Sequence, residues 1–259
     1  MVNRSFFFNY IGGKSKDLKY IMPSVDLTNI KTIVEPFCGS CAFSTHLDKD
    51  FNFVFNDIDK NLIDFLNDVK TGHFPKYIGY YNNHFNEFFK DNKPTDKWYN
   101  LKRKKDMTLF EYYMLRRLQR MRAMFNLEAK NEVESNYNHL VKLFSKAKLY
   151  NGDYKTIIDK YINDKEAFIF IDPPYLDSYN SSYKSYSGNS TDENKVIIDN
   201  TQMFIEFVDI LKNAKCKVMI IINSNALTKY LYKDFISTSY QKRYDMTGRI
   251  TEHLIVTNY

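Results

Sequence analysis

The sequence predicts an α/β fold in which helices cover both faces of a mostly parallel β-sheet. Four apolar runs have the length of buried strands, and they lie at residues 32–37, 53–57, 167–172 and 217–223. Segments with helical periodicity separate them. Strands that are apolar throughout are typical of parallel sheets, because such sheets are covered on both sides.

The last part of the chain predicts a different local arrangement. Residues 240–244 and 252–257 are strand-like and follow each other closely, so we expect a C-terminal antiparallel hairpin at the sheet edge. Apolar residues at helical spacing predict a helix over 200–212, with Thr201 as its N-cap. Residues 176–200 read as a long loop, which is often a functional lid.

Residues 70–147 break the alternation of strands and helices. They include one amphipathic helix, whose apolar face is formed by Met107, Phe110, Met114, Leu118, Met121 and Phe125. We therefore predict a helical insertion at 70–147 between two parts of one domain, residues 1–69 and 148–259.

Composition excludes several classes of protein. Of 259 residues, 44% are hydrophobic, enough to bury a core. No apolar run approaches the ~20 residues of a membrane span, and we recognise no signal peptide. Three cysteines are too few for a secreted disulfide framework, so a reducing, cytoplasmic location is expected. The abundance of residues with AT-rich codons is a weak indication of a viral or AT-rich bacterial source.

Positive charge is concentrated in one segment. Residues 97–130 hold ten basic and three acidic side chains, a local net charge of +7 against +6 for the whole chain. Five of the eight arginines lie there. A solvated helix face is the simpler interpretation. Because arginine is scarce elsewhere, we favour contact with a nucleic acid through Arg116, Arg117, Arg120 and Arg122.

A short motif ends the third apolar run. Asp172, Pro173, Pro174 and Tyr175 follow a buried strand directly. The prolines stiffen the turn and have no N–H group, so their carbonyls stay available as acceptors. Taken alone, the motif could be only a rigid exit from a strand.

Three other segments favour a ligand site. A loop of small residues, 38–42, follows the first strand, and small residues let a backbone approach a ligand closely. Asp57 ends the second strand about 20 residues later, where an acid can accept both hydroxyls of a ribose. A glycine turn between Tyr10 and Lys14 precedes both. All would meet at the carboxyl ends of the strands.

In this order, the motifs resemble the Dam-type (D12 class) adenine-N6 DNA methyltransferases. The resemblance covers about residues 5–70 and 148–259, and it implies a Rossmann-like methyltransferase sheet, S-adenosylmethionine as cofactor, and DNA as partner. The insertion would then recognise the target. The implied cofactor-binding residues are Tyr10, Lys14, Phe37, Asp57, Ile58, Asp153 and Asp172.

The resemblance also implies a mechanism. Asp172 and the Pro173 carbonyl would accept the N–H groups of the adenine amine, and Tyr175 would stack on the base. Positioning and electrostatics would supply most of the rate, so no metal is expected. The amine is inaccessible inside a duplex, so the adenine would be flipped out or already unpaired.

The chain departs from the family pattern at two places. Cys41 stands where the family commonly has a second glycine, from which we expect weaker or altered cofactor binding. In the insertion, Met124 replaces an arginine if Asn126 matches the family asparagine, and no Pro-Phe-Gly follows. The family's usual target sequence therefore cannot be transferred to this chain.

Two alternatives stay open from the sequence. The same chemistry on RNA fits the motifs equally, because they define the amine acceptor and not the sugar. A catalytically silent nucleic-acid-binding protein of the same fold fits the departures at Cys41 and in the insertion. A zinc site at Cys38 and Cys41 is improbable, since no histidine pair lies nearby.

Overall fold

A computed structural model describes residues 7–8, 10, 13–91, 93–121, 131–175, 200–243 and 250–259. Its main feature is a seven-stranded sheet in the order β5-β2-β1-β6-β7-β9-β8. Five strands are parallel: β1 (Thr32–Glu35), β2 (Asn52–Asp57), β5 (Lys148–Asn151), β6 (Ala167–Ile171) and β7 (Lys217–Asn223). The predicted parallel sheet is confirmed.

The sheet ends in an antiparallel hairpin, as the sequence predicts. β8 (Ile236–Arg243) pairs with β9 (Ile250–Thr257), and β9 pairs antiparallel with β7. The strand β8 begins four residues before the predicted start. Its first residues, Ile236 to Ser239, were not predicted as strand because they are exposed and not regularly apolar. An exposed edge strand lacks the apolar signature by which the inner strands are recognised.

The helices of the sheet domain are α1 (Leu18–Ile21), α2 (Lys60–Lys70), α7 (Tyr154–Tyr161), α8 (Thr201–Asn213) and α9 (Ala226–Leu231). Short 3₁₀ turns occupy Met22–Ser24 and Ser44–His46. The N-cap of α8 is Asn200, so the prediction of Thr201 as its cap is wrong by one residue. Residues 176–199, the predicted lid, lie outside the described residues.

Between α2 and β5 the described chain is mainly helical. It contains α3 (Phe74–Phe88), α4 (Asp96–Arg103), α5 (Leu109–Met121) and α6 (Asn138–Lys146), with a 3₁₀ turn at Glu134–Tyr137. A small hairpin, β3 (Phe89–Lys90) with β4 (Lys93–Pro94), joins α3 to α4. That this segment recognises a target stays a prediction.

Alternating side chains of the strands point to opposite faces of the sheet, and an apolar core lies on each face. Phe168 and Phe170 of β6 point to one face, and Ile169 and Ile171 point to the other. The first face packs against the insertion, including Met114 of α5, so the insertion and the sheet share one core. The second face packs against α7 and α8. Among the described helices, none is long and apolar enough to cross a membrane.

Candidate active site

The strand order reverses between β1 and β6, since β1 continues to β2 and β5 on one side and β6 continues to β7 on the other. In open α/β sheets a crevice forms outside the carboxyl ends of the strands at this point. Three acids lie there: Glu35 ends β1, Asp57 ends β2, and Asp172 follows β6. The topology therefore gathers carboxylates in the one place where this fold binds ligands.

Asp172 forms an ion pair with Lys14 from the N-terminal segment. The Lys14 Nζ lies 2.6 Å from Oδ1 and 2.8 Å from Oδ2 of Asp172. The Lys14 side chain is buried, and the Asp172 side chain is 18% exposed. Burial raises the pKa of Asp172, and the charge and hydrogen bond of Lys14 oppose that rise. The Lys14 Nζ also lies 5.0 Å from the centre of the Tyr175 ring.

The loop after β1 brings the backbone close to these acids. Gly39 has φ +46°, and its N–H donates to Asp57 Oδ2 at 3.0 Å. A Cβ at Gly39 would lie 3.0 Å from the Tyr10 ring, so a larger residue would not fit without movement. Cys41 also has a positive φ, +52°. The chain thus keeps the left-handed backbone that a glycine would favour, at a cost of roughly 1–2 kcal/mol.

Asp57 has the geometry of an acceptor held in place. One carboxylate oxygen accepts from the Gly39 N–H, and the other accepts from the Asp59 N–H at 3.0 Å. Burial raises the pKa of Asp57 to about 6 although both N–H groups oppose it. The next residue, Ile58, is 80% exposed. Its side chain therefore offers apolar surface next to a buried acid.

Glu35 is an acid that the sequence analysis did not assign to the site. It is buried, and its Oε1 accepts from the Ser44 N–H at 3.0 Å. Burial raises its pKa to about 8, and the charge of Asp172 adds to the rise. The sequence around Glu35 predicts a loop of small residues, and the acid that precedes this loop was not assigned a role.

Asn56 is another residue that sequence reasoning missed. Its side-chain Nδ2 donates to the Pro36 carbonyl at 2.9 Å and to the Gly152 carbonyl at 3.0 Å. One amide therefore connects the loops that follow β1 and β5 across the end of β2. Buried amides with satisfied donors rigidify the backbone they join.

The other expected cofactor residues surround the same loops. The Phe37 ring stacks on Tyr154, with centroids 4.9 Å apart. Asp153 is exposed, and its side chain caps α7 by accepting from the Lys155 N–H at 2.8 Å. The Tyr10 hydroxyl donates to Asp59 Oδ2 at 3.2 Å. These contacts account for the local structure at Phe37, Asp153 and Tyr10 and leave their role toward a cofactor as a prediction.

Asp59 binds the insertion to this site. Its Oδ2 accepts from Tyr10, from the Tyr112 hydroxyl at 2.9 Å and from Arg116 at 3.0 Å. Its Oδ1 caps α2 through the Asn61 and Leu62 N–H groups. The side chain of Arg116 has no exposed surface, and its guanidinium lies 4.6 Å from the Tyr10 ring centre. One carboxylate, just after β2, thus joins the N-terminal segment, α2 and α5.

Two of the four arginines expected to contact a nucleic acid, Arg116 and Arg117, are directed into the protein. Arg116 is buried against Asp59, so in this conformation it does not reach a phosphate. Arg117 is also turned inward, with an ion pair to Glu132 and a side chain only 17% exposed. The side chains of Arg120 and Arg122 lie outside the described residues, as do Met124 and Asn126. Exposed cations of the same basic segment are found instead at the end of α4: Lys102, Arg103 and Lys105.

The site can therefore hold a polar group with several N–H donors next to an apolar ring. Asp172 offers carboxylate oxygens beside the Tyr175 ring, and Asp57 offers a second carboxylate beside Ile58. Within the described residues, no group of three or more His, Cys, Asp or Glu side chains is placed to hold a metal ion. Such a set of groups suits positioning and hydrogen bonding of organic ligands.

Comparisons of the sequence with known proteins find methyltransferases. A family model described as D12 class N6 adenine-specific DNA methyltransferase matches residues 10–138 and 119–246. The Type II methyltransferase M.CviBI of Paramecium bursaria Chlorella virus NC1A is 24% identical over 275 residues, covering 96% of this chain and 97% of the viral protein.

Solved structures give weaker similarities. A SAM-dependent methyltransferase from Agrobacterium tumefaciens has a TM-score of 0.41 and 9% identity, over 94% of this chain and 59% of its own. The protein SMU.1697c of Streptococcus mutans, in complex with SAH, has a TM-score of 0.36 and 12% identity, over 92% of this chain and 97% of its own.

Removing the buried cation of α5 should destabilise the protein. Arg116→Met leaves Asp59 buried without its charge partner, so we expect the free energy of unfolding to fall by about 3–5 kcal/mol. Urea denaturation measures this change. Lys105→Met removes an exposed charge from the same segment and should alter stability by less than about 0.5 kcal/mol. Equal, small effects of the two variants would contradict the buried ion pair.

Glu35 should make stability depend on pH. Its pKa is about 8 in the folded protein and ~4.3 in an unfolded chain, so only the unfolded chain is ionised between these values. The stabilising contribution is complete below pH ~4 and is lost as the pH rises toward 8. Between pH 5 and 8 the free energy of unfolding of the wild type, measured by urea denaturation, should fall by on the order of 4 kcal/mol more than that of Glu35→Gln. Parallel pH curves for both proteins would contradict this.

Proposed function

Because the chain belongs to the D12 class N6 adenine-specific DNA methyltransferases, we propose that it transfers a methyl group from S-adenosylmethionine to the N6 amine of adenine in DNA. The observation that carries this proposal is the position of Asp172. Its carboxylate lies at the switch point of the sheet, and two prolines and the Tyr175 ring follow it directly in the chain.

The residues around Asp57 fit the adenosyl part of this cofactor. Two backbone N–H groups hold the Asp57 carboxylate in a fixed orientation, which suits acceptance of ribose hydroxyls. Ile58 and Phe37 offer apolar surface for an adenine ring. The cofactor carries a positive sulfonium, and the Asp57 and Asp172 carboxylates lie at this crevice. When bound, S-adenosylmethionine supplies the methyl group.

Asp172 and Pro173 would act on the target amine. The lone pair of the adenine amine is delocalised into the ring, so the amine is a poor nucleophile. Acceptance of its two N–H groups by the Asp172 carboxylate and the Pro173 carbonyl favours a tetrahedral nitrogen with a localised lone pair. Since Lys14 already contacts both oxygens of Asp172, the incoming amine shares this carboxylate with Lys14 or displaces it. The surplus proton leaves the nitrogen after methylation.

Two further features of the proposal concern the substrate. An adenine within a duplex cannot bring its amine to Asp172, so the base is flipped out or already unpaired. For the DNA backbone we propose the exposed cations at the end of α4, namely Lys102, Arg103 and Lys105, in place of the inward-facing Arg116 and Arg117. Phosphate contacts of this kind set orientation and affinity, while base contacts set specificity.

We also propose an intracellular, reducing location for this activity. All three cysteines, Cys38, Cys41 and Cys216, are buried and free, which supports such a compartment. The similarity to a chlorella virus methyltransferase supports a viral source over a bacterial one.

Asp172→Asn tests the chemistry. Asparagine retains an acceptor for Lys14 but loses the charge that stabilises the developing positive nitrogen, so methyl transfer should fall by about 10²–10³-fold. The assay measures tritium transfer from labelled S-adenosylmethionine to unmethylated duplex DNA, single-stranded DNA and RNA. Asp159→Asn, an exposed acid on α7, is the matched control and should keep wild-type rates. Normal turnover by Asp172→Asn would remove this residue from the mechanism.

The proposed DNA surface is tested by salt dependence. Replacing Lys102, Arg103 and Lys105 with Gln should reduce the slope of log affinity against log salt by about 0.9 per lost phosphate contact, roughly 2.7 in total. The matched control replaces Lys165, Lys212 and Lys215, which are exposed near the opposite, amino-terminal ends of β6 and β7. It removes the same charge and should leave the slope unchanged. Equal slopes for both triple variants would place the DNA elsewhere.

A further inference from the structure

Three rings from three different elements form a column beside the proposed adenine position. The centroids of Tyr175, which follows β6, and His253 of β9 are 5.3 Å apart with the planes at 51°. His253 stacks on Tyr240 of β8 at 5.2 Å and 19°. We call these three residues the ring column. Tyr20 of α1 extends it toward the surface, 5.1 Å from Tyr240.

His253 is the fixed member of the ring column. It lies within β9, opposite Asn223 of β7 on one side and opposite Tyr240 of β8 on the other. It has no exposed surface. Moving its backbone would require opening one of two strand ladders. Tyr175, in contrast, follows the strand end and is only partly buried, so its orientation depends on what its ring meets.

The ring column and the Lys14–Asp172 pair depend on one turn of the N-terminal segment. The Tyr240 hydroxyl donates to Asp17 Oδ2 at 3.3 Å, and the Lys242 Nζ donates to the same oxygen at 2.7 Å. The Asp17 N–H in turn donates to the Lys14 carbonyl at 2.7 Å. The outer ring of the column, Tyr240, and the cation on Asp172 are therefore held by the same turn.

His253 is an uncharged ring at neutral pH. Burial, together with the charges of Lys14 and Lys242, lowers its pKa to about 4, and the charge of Asp17 opposes this shift. The rings of Tyr175 and Tyr240, which carry titratable hydroxyls, also pack against it. A neutral imidazole adds no competing cation beside Lys14, so its contribution here is the shape and position of its ring.

We propose that His253 is a positioning residue for methyl transfer: it sets the tilt of Tyr175 and thereby where the target adenine stacks relative to Asp172. This inference rests on the proposed function. Acceptance of the amine by Asp172 requires the base to lie within hydrogen-bond reach of one carboxylate. A misplacement of about 1 Å can cost ~10²-fold in rate, so the support behind the stacking ring controls turnover.

Substitutions of His253 test the inference because they should lower kcat and leave the affinity for the cofactor product nearly unchanged. His253→Ala removes the ring behind Tyr175 and should lower kcat on unmethylated DNA by about tenfold or more. Affinity for S-adenosylhomocysteine, measured by calorimetry, should change less than about twofold, because the hydrogen bonds described for the Asp57 carboxylate come from Gly39 and Asp59 and not from the ring column. His253→Phe restores a neutral ring and should return kcat to within about threefold of wild type.

Ile255→Ala is the matched control. Ile255 is two residues along β9 on the same face, is equally buried, and does not belong to the ring column. It should lower the melting temperature as His253→Ala does and leave kcat near wild type. If Ile255→Ala lowers kcat as much as His253→Ala, the effect is a general loss of packing and the inference is wrong. If His253→Ala does not fold, Tyr240→Leu removes the next ring instead and should lower kcat while Tyr240→Phe does not.

The pH profile separates positioning from acid–base chemistry. His253→Phe should show the same dependence of kcat on pH as wild type between pH 6 and 9, since His253 is neutral throughout. A shifted profile would assign proton transfer to His253 and overturn the positioning role, as would unchanged kcat in His253→Ala. A wild-type protein that labels neither DNA nor RNA would instead refute the proposed function, and the inference with it.

Discussion

The contact between Lys14 and Asp172 is the interaction on which the rest of the site depends. It connects the N-terminal segment to the end of β6 at the point where the strand order reverses. The turn that carries Lys14 also carries Asp17, which holds Tyr240 and Lys242 of the hairpin. A segment outside the sheet thus links the central strands to the edge hairpin, and it places a cation on the acid whose hydrogen-bonding capacity the proposed reaction uses.

A second buried charge pair joins the insertion to the sheet. The Asp59–Arg116 pair lies where a charge would be costly without a partner, and three donors converge on one Asp59 oxygen. Buried pairs of this kind add little net stability but are strongly destabilising to break, so they favour one arrangement over others. The orientation of α5 is therefore tied to the loop that follows Asp57, and the insertion shares its core with the sheet.

The strands and the site motifs were predictable, while the environment of single side chains was not. Fully apolar runs identified β1, β2, β6 and β7, because burial on both faces excludes polar residues. β5 was missed since its four residues, Lys148–Asn151, are polar or half-exposed at the sheet edge. The buried position of Arg116 was not predictable, because a sequence gives the charge of a side chain but not its direction. A helix can direct an arginine into the core where a buried acid such as Asp59 is its partner.

The identity of the methylated nucleoside tests the central claim most directly. The wild-type protein is incubated with S-adenosylmethionine and unmethylated DNA, the DNA is digested to nucleosides, and the products are separated by mass spectrometry. The arrangement of Asp172, Pro173 and Tyr175 predicts N6-methyldeoxyadenosine as the methylated product, and its absence when Asp172 is replaced. A methylated cytosine, or methylation confined to RNA, would contradict the account.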